Sequence, residues 1–482
     1  ELLSPETWSL HHYREADRVL AGWTRLEQSA GAIRRALPAR YHDAFYQLVQ
    51  HPVEAAANLN RLYVAVARNR LYAAQGRAAT NAMADSARAL FQRDAAITRT
   101  YHRVADGKWR HMMDQTHIGY TDWQQPEQNR MPEVVEIEVP AAASMGVAAE
   151  GSAAWWPGPV GGGSHPAAGN GAVADPGGPE SGTVPELAAM DRYRRQTRTL
   201  EVFNRGRTPF EFAVRPDEPW LRVEPAAGTV ELQAEVEVSV DWTAVPPGVH
   251  RVPIRVSGPR GQQATVRAVV RNPTGPDPAR FEGFIESDGY VAMEAAHYTR
   301  AVPGGGIRWG RLPHLGRTLS AMTPVPVTAP NVEPGDGPRL EYRMHLFHGG
   351  EITVRAHLSP TLDYDGTGSL RYGVSFDDGP VRVVDVVRDT SLAAWERAVA
   401  DNIRIDVSRH AIDGPGPHVL KLWAVDPGAV VQRLVVDAGG LLPSYLGPPE
   451  SFRAGGRRAS GGAADSSVPA GEASVPTAQP DG

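Results

Sequence analysis

The chain has 482 residues, with 55 Asp and Glu against 49 Lys and Arg, a formal net charge of −6 and no cysteine. These values exclude disulfides and thiolate metal centres, and they remove any general electrostatic case for nucleic acid or an anionic membrane as partner. No uninterrupted apolar run is long enough to mark a membrane-spanning helix, and the length accommodates about three domains.

Residues 1–130 read as an antiparallel helical bundle. Val19, Trp23, Leu26, Ala30, Ile33 and Leu37 recur every three or four positions, which places them on one helical face, and Pro38 ends that helix. A second helix is predicted from Arg40 with Phe45 and Leu48, and a third from Pro52 with a stripe of Leu59, Leu62, Tyr63 and Val66 up to Gly76. A fourth carries Met83, Ala87, Leu90, Ile97 and Tyr101 on one side. The short connections favour antiparallel neighbours.

The run KWRHMMDQTHIGYTDWQQPEQNR (108–130) packs Lys108, Trp109, His111, Asp114, His117, Tyr120, Trp123, Gln124 and Gln125 into two dozen positions. It has two readings. In one, Trp109, Met112, Met113 and Trp123 pack a short terminal helix onto the bundle while His111, Asp114 and His117 tie its turns together. In the other, His117, Tyr120, Trp123 and Gln124 line a substrate cleft, with rings over sugar faces and amides on hydroxyls. A metal site from His111 and His117 is poorly supported, because a spacing of six leaves them on different faces and HExxH is absent. No cofactor is predicted.

Beyond Met131 the hydrophobic period falls to two. TVELQAEVEVSVDW (229–242), VPIRV (252–256), ATVRAVV (264–270), VVEIEV (134–139) and TLEVFN (199–204) predict an immunoglobulin-like β-sandwich over 131–280, interrupted by a Gly/Pro-rich insertion at 156–185. From Phe281 to residue 450, LEYRMHLF, EITVRAHLS, LRYGVSFDD and HVLKLWAVD predict a jelly-roll-like sandwich, followed by a disordered tail over 451–482. LDYDGTG (362–368) lacks the calcium-loop pattern and reads as a hairpin turn, while His297 and Tyr298 fall in a strand-like segment. PGGGIRWGRLPHLGRT (303–318) lacks a phosphate-loop spacing and reads as structural, although Arg308, Trp309 and His314 could meet an anionic sugar. GxSxG is absent, which removes the usual serine-hydrolase signal. The fold class is therefore multidomain α+β, a helical bundle and two sandwiches, with no succession of parallel strands and helices for a catalytic barrel.

The 108–130 run closely resembles a signature of the bacterial xylan α-glucuronidases of glycoside hydrolase family 115. The resemblance extends through 41–78, LEVFNRGRTPFEF (200–212) and FIESDGYVAMEAAHYTRA (284–301). It implies removal of glucuronic or 4-O-methylglucuronic acid side groups from xylan, with inversion at the α-1,2 bond. It also implies that the catalytic carboxylates lie in a (β/α)8 barrel ahead of Glu1, so no Asp or Glu here is assigned as acid or base. This chain would then scaffold and complete the substrate cleft and lack activity alone. The implied partners are glucuronoxylan or its oligosaccharides and a second copy in a homodimer, in a periplasmic or secreted parent enzyme. Lysine occurs at Lys108 and Lys421 alone, an arginine bias that a GC-rich bacterial genome would explain. The alternative is a non-catalytic carbohydrate-binding or adhesion protein, since β-sandwiches often bind glycans.

Overall fold

The computed structural model describes residues 3–122, 124–158, 184–363 and 366–455. It is a multidomain α+β protein: a helical region followed by two β-sandwiches, with no (β/α)8 barrel among the described residues. No helix of those residues is long and apolar enough to cross a membrane.

Three long helices, α1 (Glu15–Ala36), α2 (His51–Gln75) and α3 (Thr80–Tyr101), form the bundle. Their pairings run antiparallel. Going down α1, Asp17 meets Arg68, Glu27 meets Arg61, and Arg34 meets Gln50. Asn69 and Asn58 of α2 donate to the carbonyls of Thr80 and Leu90, both at 3.0 Å. Leu62, Val66 and Ala87 supply the buried core between α2 and α3, and α2 ends at Gly76, whose φ of 63° suits glycine.

Two expectations for this region are corrected. The separate helices predicted on either side of Pro52 form one rod, because a π-turn (Tyr46–Gln50) joins the short helix His42–Phe45 to α2 and its widened turn accommodates the proline ring. The apolar stripe of α1 is not sealed: Ala30 is buried, but Leu26 and Ile33 are each 51% exposed. Arginine–carboxylate pairs, more than those side chains, make the seam with α2.

The predicted strand at 134–139 is not in a sheet. It is extended chain clamped by amides: Asn69 bonds both the N–H and C=O of Val135, and Asn81 does the same for Ile137, at 2.7–3.0 Å. Each side-chain amide imitates one ladder partner, so the segment satisfies its backbone on the bundle surface.

The first sandwich faces two five-stranded sheets. One orders Trp155–Trp156, Met145–Ala149, Arg198–Asn204, Gln233–Val240 and Leu221–Glu224, and the other Met190–Asp191, Gln263–Asn272, Gly248–Ser257, Phe210–Pro216 and Ala227–Val230. All pairings are antiparallel except that of Met190–Asp191 with Gln263–Asn272. Val236, Val238, Ile254 and Val266 meet in its core. The run 229–242 is not a single strand: it switches sheets around Leu232, which is 46% exposed.

The second sandwich pairs a seven-stranded with a six-stranded sheet around Tyr342, Met344, Val354 and Leu422. The four predicted strands appear as Arg339–Leu346, Gly350–Leu358, Arg371–Phe376 and Gly416–Ala424. The loop around 362–368 is not a hairpin turn, since it connects strands of opposite sheets; Asp363 organises it by accepting from the N–H groups of Gly366 and Gly368. His297 ends a 3-10 turn, not a strand, and pairs with Glu450 at 2.8 Å. The domain also passes residue 450: Arg453–Ala454 pairs with Gly283–Phe284, and Ser451 is buried. Most of the predicted insertion (159–183) and most of the predicted tail (456–482) lie outside the described residues.

At the contact between each pair of domains lies a charged side chain that is almost completely buried. Arg77, 1% exposed, lies between the Tyr72 and Phe203 rings at 4.3 and 4.1 Å and donates to Glu201 of the first sandwich at 2.6 Å. Glu15, 0% exposed, opens α1 and accepts from the N–H groups of Tyr445 and Leu446 in the second. Asp191, 3% exposed, accepts from the Ser287 hydroxyl at 2.6 Å across the two sandwiches. A buried charge is costly unless its partners are in place, so these contacts select one relative placement of the three domains.

Candidate functional site

The chain leaves α3 through a broken turn. Ala105, Asp106 and Gly107 take φ values of 51°, 56° and 81°, which end the helical hydrogen-bond series, so the short terminal helix expected within 108–130 does not form. Trp109 and Met113 pack against Tyr46, Tyr101 and Val104, whereas Met112 is exposed. His111 Nδ1 lies 2.7 Å from Asp114, closing a local turn.

The base of this loop is fixed to the bundle. His117 Nε2 sits 2.9 and 2.8 Å from the two carboxylate oxygens of Asp94 on α3, and its Nδ1 sits 3.0 Å from the Gln115 carbonyl. Both ring nitrogens therefore face acceptors, and the hydrogen bond to Asp94 raises the His117 pKa above its ordinary value against the opposing effect of burial. Next to it Ile118 is fully buried in the bundle core. Asn129 Oδ1 accepts from the N–H groups of His117 and Ile118 at 2.8 and 2.9 Å, and the Arg130 N–H returns to the Ile118 carbonyl. A hydrogen bond of 2.5 Å from Thr116 Oγ1 to the Pro126 carbonyl closes the loop further out.

Above that base the loop carries its other polar groups outward. Tyr120 is half-buried and its hydroxyl receives Gln115 Nε2 at 3.4 Å; Gln124 is exposed, with its backbone N–H on Asp122. Trp123 lies outside the described residues. His117 is thus committed to Asp94, while Tyr120 and Gln124 remain on the accessible part of one loop, where a phenol and an amide can contact a polar ligand. The acidic partner Asp94 and the clamp Asn129 were not singled out from sequence, because a helical Asp and a loop Asn carry no motif until the fold brings them to His117.

The second sugar-contact set does not assemble. Trp309 is buried and its indole N–H donates to the Pro338 carbonyl at 3.2 Å, while Arg308 and His314 are exposed. Among the described residues no three metal-ligating side chains converge on a common point.

Residues 283–450 match the glycosyl hydrolase family 115 C-terminal domain. The chain carries the C-terminal domain of this family. That match contains the 284–301 motif, while the helical motifs and 200–212 lie ahead of it. Among solved structures, the chain is similar to one titled "A novel family GH115 4-O-Methyl-alpha-glucuronidase, BtGH115A, with specificity for decorated arabinogalactans", at 14% identity and a TM-score of 0.43, covering 88% of this chain and 33% of that one. This chain therefore spans about a third of that protein's length. A family 35 carbohydrate-binding module from Clostridium thermocellum is similar over 30% of this chain and 98% of its own, at 10% identity and a TM-score of 0.23. A Podospora anserina GH26-CBM35 β-(1,4)-mannanase is similar over 33% of this chain and 29% of its own, at 12% identity and a TM-score of 0.19. No curated protein matches the sequence. Ahead of the family 115 domain, the 200–212 segment holds the bundle through Glu201, Phe203 and Arg205, with Arg205 donating to the Gln75 carbonyl at 3.1 Å.

Proposed function

We propose that this chain is the carboxy-terminal part of an inverting α-glucuronidase that releases glucuronic or 4-O-methylglucuronic acid from glucuronoxylan. The observation that carries the proposal is the family 115 domain over 283–450. In this reading the chain is a scaffold. The three buried inter-domain anchors hold bundle and sandwiches in one arrangement, and the 108–130 loop, fixed to the bundle through His117 and Ile118, presents Tyr120 and Gln124 toward the substrate cleft.

In this reading catalysis lies elsewhere in the parent protein. Inverting hydrolysis needs an acid that protonates the leaving oxygen and a base that activates water, held across the bond by roughly 6.5–9.5 Å. Around the 108–130 loop, Asp94 is paired with His117 and Asp114 with His111, so this reading gives neither of them the role of acid or base. Proton NMR of glucuronoxylan digested by the parent protein in its full natural length tests the activity. The β-anomer of the uronic acid should appear first. First release of the α-anomer, or no release, would overturn the proposal.

A further inference from the structure

We propose that the cavity where the three domains meet binds a small oxyanion, a carboxylate or a phosphate, between Arg18, Arg194 and Arg271. The proposal goes beyond the hydrolase reading and does not depend on it. The cavity measures about 680 Å³, within the size range of small-molecule sites. Its walls come from the start of α1, from both sheets of the first sandwich and from the second sandwich near Asp288 and Tyr290.

The charges on those walls do not cancel. Asp17 is taken by Arg14 and Arg68, Glu150 by Arg198, and Glu186 by Arg267. After these pairings Arg18, Arg194, Arg251 and Arg271 have no carboxylate at ion-pair distance among the described residues. Arg194 has a neutral partner, donating to the Tyr290 hydroxyl at 2.9 Å. Arg18 Nε and Nη2 and Arg271 Nε are buried without any hydrogen-bond partner. Burial accordingly lowers the Arg18 pKa. Among the described residues, the one carboxyl of the wall left unpaired is Asp288, whose Oδ1 also lacks a partner. Burial, reinforced by nearby Asp191 and opposed by Arg198, Arg271 and Arg194, raises its pKa.

Guanidinium nitrogens of Arg18 and Arg271 that lack a partner, on residues that line one cavity together with Arg194, specify the ligand's chemistry. A planar fork of donors matches the paired oxygens of a carboxylate or phosphate, and desolvated donors gain most from a charged acceptor. The volume exceeds what a monatomic ion needs, which favours a small organic acid or a phosphorylated compound over chloride.

The test uses the complete 482-residue chain. Titration calorimetry at constant ionic strength with glucuronate, citrate and inorganic phosphate as separate probes should give saturable binding for at least one, and the arms separate a carboxylate from a phosphate source. Arg18→Gln and Arg271→Gln, checked for folding by circular dichroism, should each weaken binding about tenfold or more. If either variant fails to fold, Arg251→Gln at the exposed rim decides, with a smaller loss expected. No saturable binding of any of the three probes, or affinity unchanged in the folded variants, overturns the proposal.

Discussion

Removing the counter-charge of Arg77 should cost more than removing Arg77 itself. The Arg77 side chain is 1% exposed and the Glu201 side chain 30% exposed. Glu201→Ala strands a guanidinium in the bundle–sandwich interface, where Gln75 Oε1 at 2.6 Å remains as acceptor and Nη1 already has none. Breaking a buried pair from that side costs about 3–5 kcal/mol. Water reaching the Glu201 position places the expectation near the lower end, about 3 kcal/mol. Arg77→Met keeps an apolar stem between Tyr72 and Phe203 and leaves a carboxylate that water can solvate. It loses the cation–π contacts and the pair, about 1–2 kcal/mol. Urea unfolding monitored by circular dichroism and tryptophan fluorescence measures both. Because several domains are present, the shift should fall on the transition that includes the bundle. Equal effects of the two substitutions, or a Glu201→Ala loss below about 0.5 kcal/mol, would refute the role given to this anchor.

Ile118→Ala should destabilise the bundle by about 2–5 kcal/mol, whereas Gln124→Ala should leave the melting temperature unchanged, and thermal melts of both check the division of the loop into a buried base and an accessible part. In the active parent enzyme, a substrate contact by Tyr120 predicts that Tyr120→Phe lowers kcat/KM without lowering the melting temperature; a lowered melting temperature with normal kinetics would assign Tyr120 to structure. Two histidines should give opposite pH dependences. Burial and the nearby Arg433, Arg317 and Arg355 lower the His357 pKa from 6.5 to about 3. Between those values the unfolded chain binds a proton that the folded chain refuses, so stability falls with falling pH, by at most about 1.4 kcal/mol per pH unit. His357→Gln should flatten that acid slope in pH-dependent melts, and an unchanged slope would contradict the burial argument. The raised pKa of His117 has the other sign: its pairing with Asp94 stabilises fully below 6.5 and is lost as pH rises through the folded value. Asp94→Asn should remove this dependence, and a retained one would sink the assignment.

Much of the architecture was legible because burial leaves a periodic trace. Alternating Val236 and Val238, or Leu62 and Val66 one helical turn apart, point to a single interior. The readings that failed share a cause: the local pattern was real but its partner was elsewhere. Val135 and Ile137 alternate like a strand, yet amides from two helices complete their backbone bonds. Leu26 and Ile33 form an apolar stripe that α2 does not cover, since the α1–α2 seam is built from ion pairs. The helix Leu392–Ala400 went unread although Ser391 caps it by accepting from the Ala394 N–H, a signal present in sequence. The junction cavity leaves no sequence trace, because positions 18, 194, 271 and 288 meet only after three domains have docked. At the 108–130 loop the density of functional residue types was visible, but its sorting was not: His117 became a structural pair once Asp94 stood opposite, and Tyr120 and Gln124 stayed accessible.

The measurement that bears most directly on the scaffold reading is uronic acid release from glucuronoxylan by the purified 482-residue chain beside its full-length parent at equal molar concentration. The account predicts release by the parent and, from the chain alone, a signal no higher than a heat-inactivated control. Turnover by the chain alone would contradict it, because a catalytic carboxyl pair would then lie within these residues.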